Sequence, residues 1–198
     1  MSDSMVAADA FAFTSENREK ANAIIAKYPP GRQASAVLGL LDLAQRQNGG
    51  WLPRAAVAHV AGILDMAEIR VWEVATFYTM FNLEPVGRTC VEVCTTTPCW
   101  LRGSDEIVAA CARELGISLG ETTADGAFTL REVECLCACV NAPVARIGDD
   151  YYEDLSPESM VEILRAFRRG ETPTAGSQTA RQGAAPASGP KVLKRGKG

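Results

Sequence analysis

The chain has 198 residues, a length that suits one or two domains. Hydrophobic residues make up 47%, enough for a packed core, and no window approaches ~18 uninterrupted apolar residues, so no membrane insertion is expected. Net charge is −4 but unevenly spread: residues 171–198 hold five Lys or Arg against one Glu, and the acidic remainder speaks against nucleic-acid binding.

Residues 1–13 show no pattern and are expected to be a flexible N-terminus. Met1-Ser2-Asp3-Ser4 lacks the basic and apolar runs of a secretory signal. The stretch before Arg18 is acidic, unlike a mitochondrial transit peptide. A helix is predicted from Ser15 to Lys27, stopped by Pro29-Pro30-Gly31. A second fits Gln33 to Gln47, with Val37, Leu38, Leu41 and Ala44 on one face. Pro53 suits the first position of a third helix, whose apolar spacing is carried by Val57, Val60, Ala61 and Leu64. A fourth covers about Ala67 to Tyr78. Residues 14–84 thus read as a small helical domain. Trp72, Phe77, Tyr78 and Phe81 are expected in its core or at an interface, and His59 is expected to be structural or exposed rather than a ligand.

The pattern changes at Pro85-Val86-Gly87. Residues 89–94 alternate, with Val91 and Val93 on one face and Cys90, Glu92 and Cys94 on the other, the period of a strand. Ser104-Asp105-Glu106 reads as a helix N-cap followed by acids in the first turn. Ile107, Val108, Cys111 and Leu115 form that helix's stripe, and Gly116 closes it. Phe128 to Glu134 is a second strand. Val144–Ile147 and Tyr151-Tyr152 form a hairpin across Gly148-Asp149-Asp150. Ser156 caps a last helix whose apolar face is Met160, Ile163, Leu164 and Phe167, ended by Gly170. The order β-α-β-β-β-α over residues 85–170, or the same with one more helical turn near the second cysteine group, matches a thioredoxin-like α/β domain, in which Pro143 occupies the usual cis-proline place. The fold class is therefore mixed α+β / α/β: a helical domain, a thioredoxin-like domain, and residues 171–198, whose Gly, Ala, Ser, Thr and Pro content predicts a disordered basic tail.

Seven cysteines without a signal peptide point to metal or redox chemistry rather than a disulfide framework. Cys90 and Cys111 lie on a strand face and a helical apolar stripe, and are expected to be packing residues. The other five are grouped. Cys94 ends one strand and Cys99 precedes a helix, with Pro98 and three threonines between. Cys135, Cys137 and Cys139 follow the second strand. Neighbouring strands would deliver both loops to one rim, where four soft thiolates could hold an iron–sulfur cluster or tetrahedral zinc. The first pair has four residues between its cysteines, the upper limit for a zinc knuckle. One pair per loop would also serve a two-iron rhombus, so the spacing leans toward iron–sulfur and leaves zinc open. The absence of C-x-x-C weakens a disulfide oxidoreductase reading. No Gly-rich phosphate loop in the required context is present, so the chain itself is expected to bind neither NADH nor flavin.

Val93-Cys94-Thr95-Thr96-Thr97-Pro98-Cys99, with Leu101-Arg102-Gly103-Ser104 after it, resembles the NuoE-type [2Fe–2S] subunit of respiratory complex I. Glu134-Cys135-Leu136, Ala138-Cys139-Val140-Asn141-Ala142-Pro143 and Tyr151-Tyr152-Glu153-Asp154-Leu155 resemble it too. So do Gly50-Trp51-Leu52-Pro53 and Glu73-Val74-Ala75-Thr76-Phe77-Tyr78-Thr79-Met80-Phe81-Asn82. The resemblance covers roughly residues 15–169. It implies one [2Fe–2S] cluster on Cys94, Cys99, Cys135 and Cys139. It implies a neighbouring NuoF-type subunit that binds FMN and NADH, and a place in the peripheral arm of NADH:quinone oxidoreductase. The location implied is the cytoplasmic side of a bacterial inner membrane, within a membrane-attached complex. Related chains serve NAD-linked hydrogenases and formate dehydrogenases. The chain departs from the family at Cys137, where glycine is usual; a glycine there would suit a positive φ. Cys137 is expected to be a spectator, because the Cys135/Cys139 spacing is intact.

Overall fold

A computed structural model describes residues 10–183 and divides the chain into two compact units, with the boundary between Val86 and Gly87. The first unit holds α1 (Ser15–Ile25), α2 (Val37–Gln47), α3 (Arg54–Leu64) and α4 (Glu68–Phe77). Thr14 caps α1 by accepting from the Asn17 amide, which satisfies one of the free N–H groups of the first turn. The stretch predicted as the start of the second helix, Gln33–Ala36, is a 3-10 turn leading into α2. Pro53 is the cap residue of α3 rather than its first helical residue.

The core of this unit mixes large and small side chains. Leu40, Leu41, Leu52, Val57, Val60 and Val71 are fully buried against Ala21, Ala36, Ala44 and Ala56, whose short side chains allow close helix contact. Phe81 joins this core at 5% exposure, and Trp72 is half-buried with its indole N–H on Glu68. Phe77 and Tyr78 do not join it. They stack edge to face at the end of α4, exposed at 77% and 41%.

The loose segment expected at 1–13 is docked where it can be described. Phe13 is buried, and Phe11 and Phe13 pack edge-on around His59, whose Nε2 accepts the Phe13 amide at 3.4 Å. His59 is therefore a structural residue. Residues 1–9 lie outside the described residues.

The second unit is built on a five-stranded mixed sheet in the order β2-β1-β3-β4-β5. Its strands are β1 (Thr89–Cys94), β2 (Phe128–Val133), β3 (Ala145–Ile147), β4 (Asp150–Glu153) and β5 (Gly176–Ser177). β1 and β2 are parallel, and β1, β3 and β4 are successively antiparallel. Its helices are α5 (Thr97–Leu101), α6 (Ser104–Leu115) and α7 (Pro157–Arg168). Ile107, Cys111 and Leu115 of α6 and Met160, Ile163 and Leu164 of α7 share one core with Val91, Val93, Phe128, Leu130, Ile147 and Tyr152. The alternation read in β1 places Val91 and Val93 on this face. Glu92 on the other face lies between Arg131 and Arg146 across the sheet and receives Nε of Arg146.

Two local features fix the ends of this domain. A Cβ on Gly87 would lie 2.7 Å from the Phe128 backbone, so only glycine lets the chain enter β1 so close to β2. Ser156 and Ser159 form a reciprocal capping box at the start of α7, as the predicted cap required. The peptide before Pro143 is cis.

Three details differ from the sequence reading. Thr97–Leu101 is a helix rather than loop, and its start signal is legible: Thr96 at the cap with Pro98 in the first turn. Ser104 is the first helical residue of α6, not its cap. The corner between α5 and α6 needs a left-handed residue, and Gly103 supplies it at φ 91°. Among the described residues, Ser104 Oγ is buried without a hydrogen-bond partner. Finally, the tail expected to be unstructured from 171 onward first docks. Gly176–Ser177 pairs in parallel with Tyr152-Glu153 as the edge strand β5, because backbone pairing needs no apolar side chain. Residues 184–198 lie outside the described residues.

Candidate metal centre

β1 and β2 run parallel, and Cys94 stands in register with Val133. The chain therefore leaves both strands at the same end of the sheet. From β1 it passes Thr95-Thr96 into α5, and from β2 it passes Glu134 into Cys135-Leu136-Cys137-Ala138 and a 3-10 turn over Cys139–Asn141. Cys94 ends a central strand and Cys99 sits inside α5, and each is only 1% exposed. Cys99 is thus deeper than a loop position would have made it. Cys135, Cys137 and Cys139 are exposed.

Hydrogen bonds tie the two loops together. Cys94 Sγ lies 3.2 Å from Thr96 Oγ1 and also receives the Leu136 backbone N–H of the opposite loop. Burial works against a Cys94 thiolate, but these donors outweigh it and hold the thiol below its ordinary value. The Cys137 N–H at 3.4 Å, the neighbouring Cys139 thiol and the Thr96 hydroxyl lower Cys135 in the same way. Their partners move oppositely. Burial, then the adjacent Cys94 thiol, pushes Cys99 up to about 12, while the Val144 N–H pulls against the rise. Cys139 is raised first by Cys135, whose sulfur lies 3.5 Å away.

The thiols thus stand as two pairs, Cys94 with Cys99 and Cys135 with Cys139, and each pair feels the other electrostatically. Among the described residues, no three His, Cys, Asp or Glu side chains gather around a single ion position. This donor set fits a [2Fe–2S] cluster. It is all sulfur, it comes as one pair per loop, and the sulfurs already accept backbone N–H groups of the kind that stabilise thiolate and sulfide charge.

Cys137 sits at φ 61°, the left-handed conformation that glycine takes most easily. Its thiol lies 3.8 Å from the Cys135 carbonyl oxygen, directed at backbone. Cys90 and Cys111 stand apart from the pairs. Cys111 is fully buried on α6 with its thiol pushed up to about 12 by burial, and Cys90 is raised to about 11 by burial and Glu92.

The rim around the thiols is apolar and open. Trp100 and Leu101, next to Cys99, are 57% and 70% exposed, and Val140, next to Cys139, is 50% exposed. The Trp100 indole N–H is held by Asp105 at 3.1 Å. Beside them lies a cleft of about 310 Å³ lined by Thr95, Thr96, Thr97, Trp100 and Glu134.

A family model described as thioredoxin-like [2Fe-2S] ferredoxin matches residues 21–168. The NuoE-type chain of the NADH-quinone oxidoreductase of Rickettsia bellii is 60% identical over 158 residues, which cover 80% of this chain and 95% of that one. NADH dehydrogenase [ubiquinone] flavoprotein 2, mitochondrial, of Dictyostelium discoideum is 52% identical over 174 residues, 88% of this chain and 70% of that one. Among solved structures, an NAD+-reducing [NiFe]-hydrogenase in the air-oxidized state shares the fold at a TM-score of 0.58 and 19% identity. That match covers 67% of this chain and only 23% of the hydrogenase chain. With the matched region running from α1 through α7 and enclosing both cysteine loops, the chain belongs to the thioredoxin-like [2Fe–2S] ferredoxin family.

Proposed function

We propose that this chain is the iron–sulfur electron-transfer subunit of the NADH dehydrogenase module of an NADH:quinone oxidoreductase. The observation that carries the reading is the meeting of two thiol pairs from loops that leave adjacent parallel strands. The 60% identity to the Rickettsia bellii chain supports the assignment to that complex.

Cys94 and Cys99 would hold one iron, and Cys135 and Cys139 the other. Bound there, the cluster supplies reversible one-electron transfer. The chain's own residues prepare the site for it. The N–H groups of Leu136, Cys137 and Val144 face sulfur, where they offset part of the charge that each added electron brings. The buried pair, Cys94 and Cys99, closes the inner side to water, while the exposed pair lies at the surface. The apolar rim of Trp100, Leu101 and Val140 would meet a partner subunit that carries the flavin and binds NADH, so that donor and acceptor lie close. Among the described residues, no helix is long and apolar enough to cross a membrane, so attachment to the membrane on its cytoplasmic side would come through partner subunits.

The test is the visible spectrum with metal and sulfide analysis of the purified chain. The reading expects a red-brown protein with about two irons and two sulfides per chain. A colourless chain holding one zinc would overturn it. Co-purification from cells with a flavoprotein tests the partner, and capture of a hydrogenase instead would reassign the complex.

A further inference from the structure

Residues 176–181 of the C-terminal segment end against the second cysteine loop. After β5, the chain turns over Asp154, with Ser177 Oγ accepting the amides of Thr179 and Arg181 at 3.3 and 3.0 Å. The Asp154 carboxylate has only 7% of its side chain exposed, and both of its oxygens are occupied. Oδ1 accepts Nε and Nη2 of Arg181 at 3.1 and 2.6 Å, and Oδ2 accepts Nδ2 of Asn141 and Oγ of Ser177 at 2.9 and 2.6 Å. Arg181 Nη2 also donates to the carbonyl of Val140 at 2.5 Å. The Asp154 amide bonds the Asn141 carbonyl at 2.7 Å. The segment thus reaches the Val140 carbonyl directly and Asn141 through Asp154, the two residues that follow Cys139 in its 3-10 turn. The matched family stretch ends at residue 168, before residues 176–181 begin, although Asn141 and Asp154 lie within it.

We propose that residues 176–181 are a strap that fixes the Cys139 turn, with Arg181 as the positioning residue that holds Cys139 in the geometry the cluster needs. The guanidinium is the clamp because its planar fork reaches a carboxylate and a backbone carbonyl together. A lysine in its place presents a point charge to one or the other. The inference rests on Cys139 being a cluster ligand, as proposed above.

The test uses the full-length chain with its cluster, comparing Arg181→Ala, Arg181→Lys and wild type. The readouts are the rate at which visible absorbance is lost to an excess of iron chelator, the linewidth of the reduced cluster's EPR signal, and thermal unfolding. Both variants are expected to lose the cluster about tenfold faster, the ratio that loss of a charge-assisted hydrogen bond represents, with a broader EPR signal and little change in unfolding. A wild-type loss rate in Arg181→Ala would overturn the inference. So would full restoration by lysine, which would make the effect one of charge alone. Cys139→Ala, which leaves no ligating atom at that position, separates the two levels. A chain that keeps all its iron without Cys139 overturns the ligand assignment and the strap with it. A chain that loses iron there yet is indifferent to Arg181→Ala overturns only the strap.

Discussion

Replacing Cys137 with glycine should leave the metal centre intact and the chain no less stable. Cys137 is held at φ 61°, where a Cβ costs roughly 1–2 kcal/mol. Glycine removes that strain but adds backbone freedom to the unfolded chain, which costs about 0.5–1 kcal/mol. The net gain lies between near zero and about 1.5 kcal/mol. Little else changes. The thiol's contact is a weak one, 3.8 Å to the Cys135 carbonyl, and the N–H that reaches Cys135 Sγ at 3.4 Å is retained by glycine. Iron and sulfide content, visible spectrum and thermal unfolding are measured on one preparation beside Cys139→Ala. The expectation is unchanged iron, and a melting temperature equal to wild type or higher by up to about 6 °C. Cys139→Ala should lose the iron signal. Loss of iron in Cys137→Gly with retention in Cys139→Ala would refute the ligand assignment, and a clearly lower melting temperature in Cys137→Gly would refute the backbone argument.

Three further expectations follow from the same geometry. In the metal-free chain at about pH 8, an alkylating reagent should label Cys135, Cys137 and Cys139 quickly. Cys90 and Cys111, raised to about 11 and about 12, should label only on unfolding, and mass spectrometry showing native-state modification of Cys111 would contradict this. Ser156→Ala removes one half of the capping box at α7 and should cost about 1 kcal/mol in denaturant unfolding, whereas no measurable loss would deny the cap its role. His59 is held below its ordinary value by burial and by Arg18, so the folded helical unit prefers the neutral ring. Its contribution is complete above about pH 6.5 and is lost as pH falls through the lower folded value. Wild type should therefore lose more stability than His59→Gln on acidification across that window, and parallel profiles would refute the assignment.

Much of the site was legible because its signals are local. Cys94 ends a run of alternating residues, and Cys135 follows two residues after the end of another strand. Two strands joined by a helix are expected to lie parallel, with their exits on one side. Gly116, through its freedom to take a positive φ, and Ser156, through its hydroxyl, marked helix boundaries within a few residues. The short helix holding Cys99 carried a readable Thr96-Thr97-Pro98 start as well, although the cysteine spacing alone suggested a loop.

What the amino-acid order determined without help was therefore periodicity, punctuation and the presence of two thiol pairs, since each depends on neighbours along the chain. Only the tertiary structure decided that Leu136 donates its amide to Cys94, that Phe11 and Phe13 enclose His59, and that Arg181 closes on Asp154 and Val140. Each of these joins groups that are brought together by folding across tens of residues. In a segment as polar as 171–183, docking depends on a free strand edge and a buried carboxylate elsewhere in the chain, and composition carries no record of either.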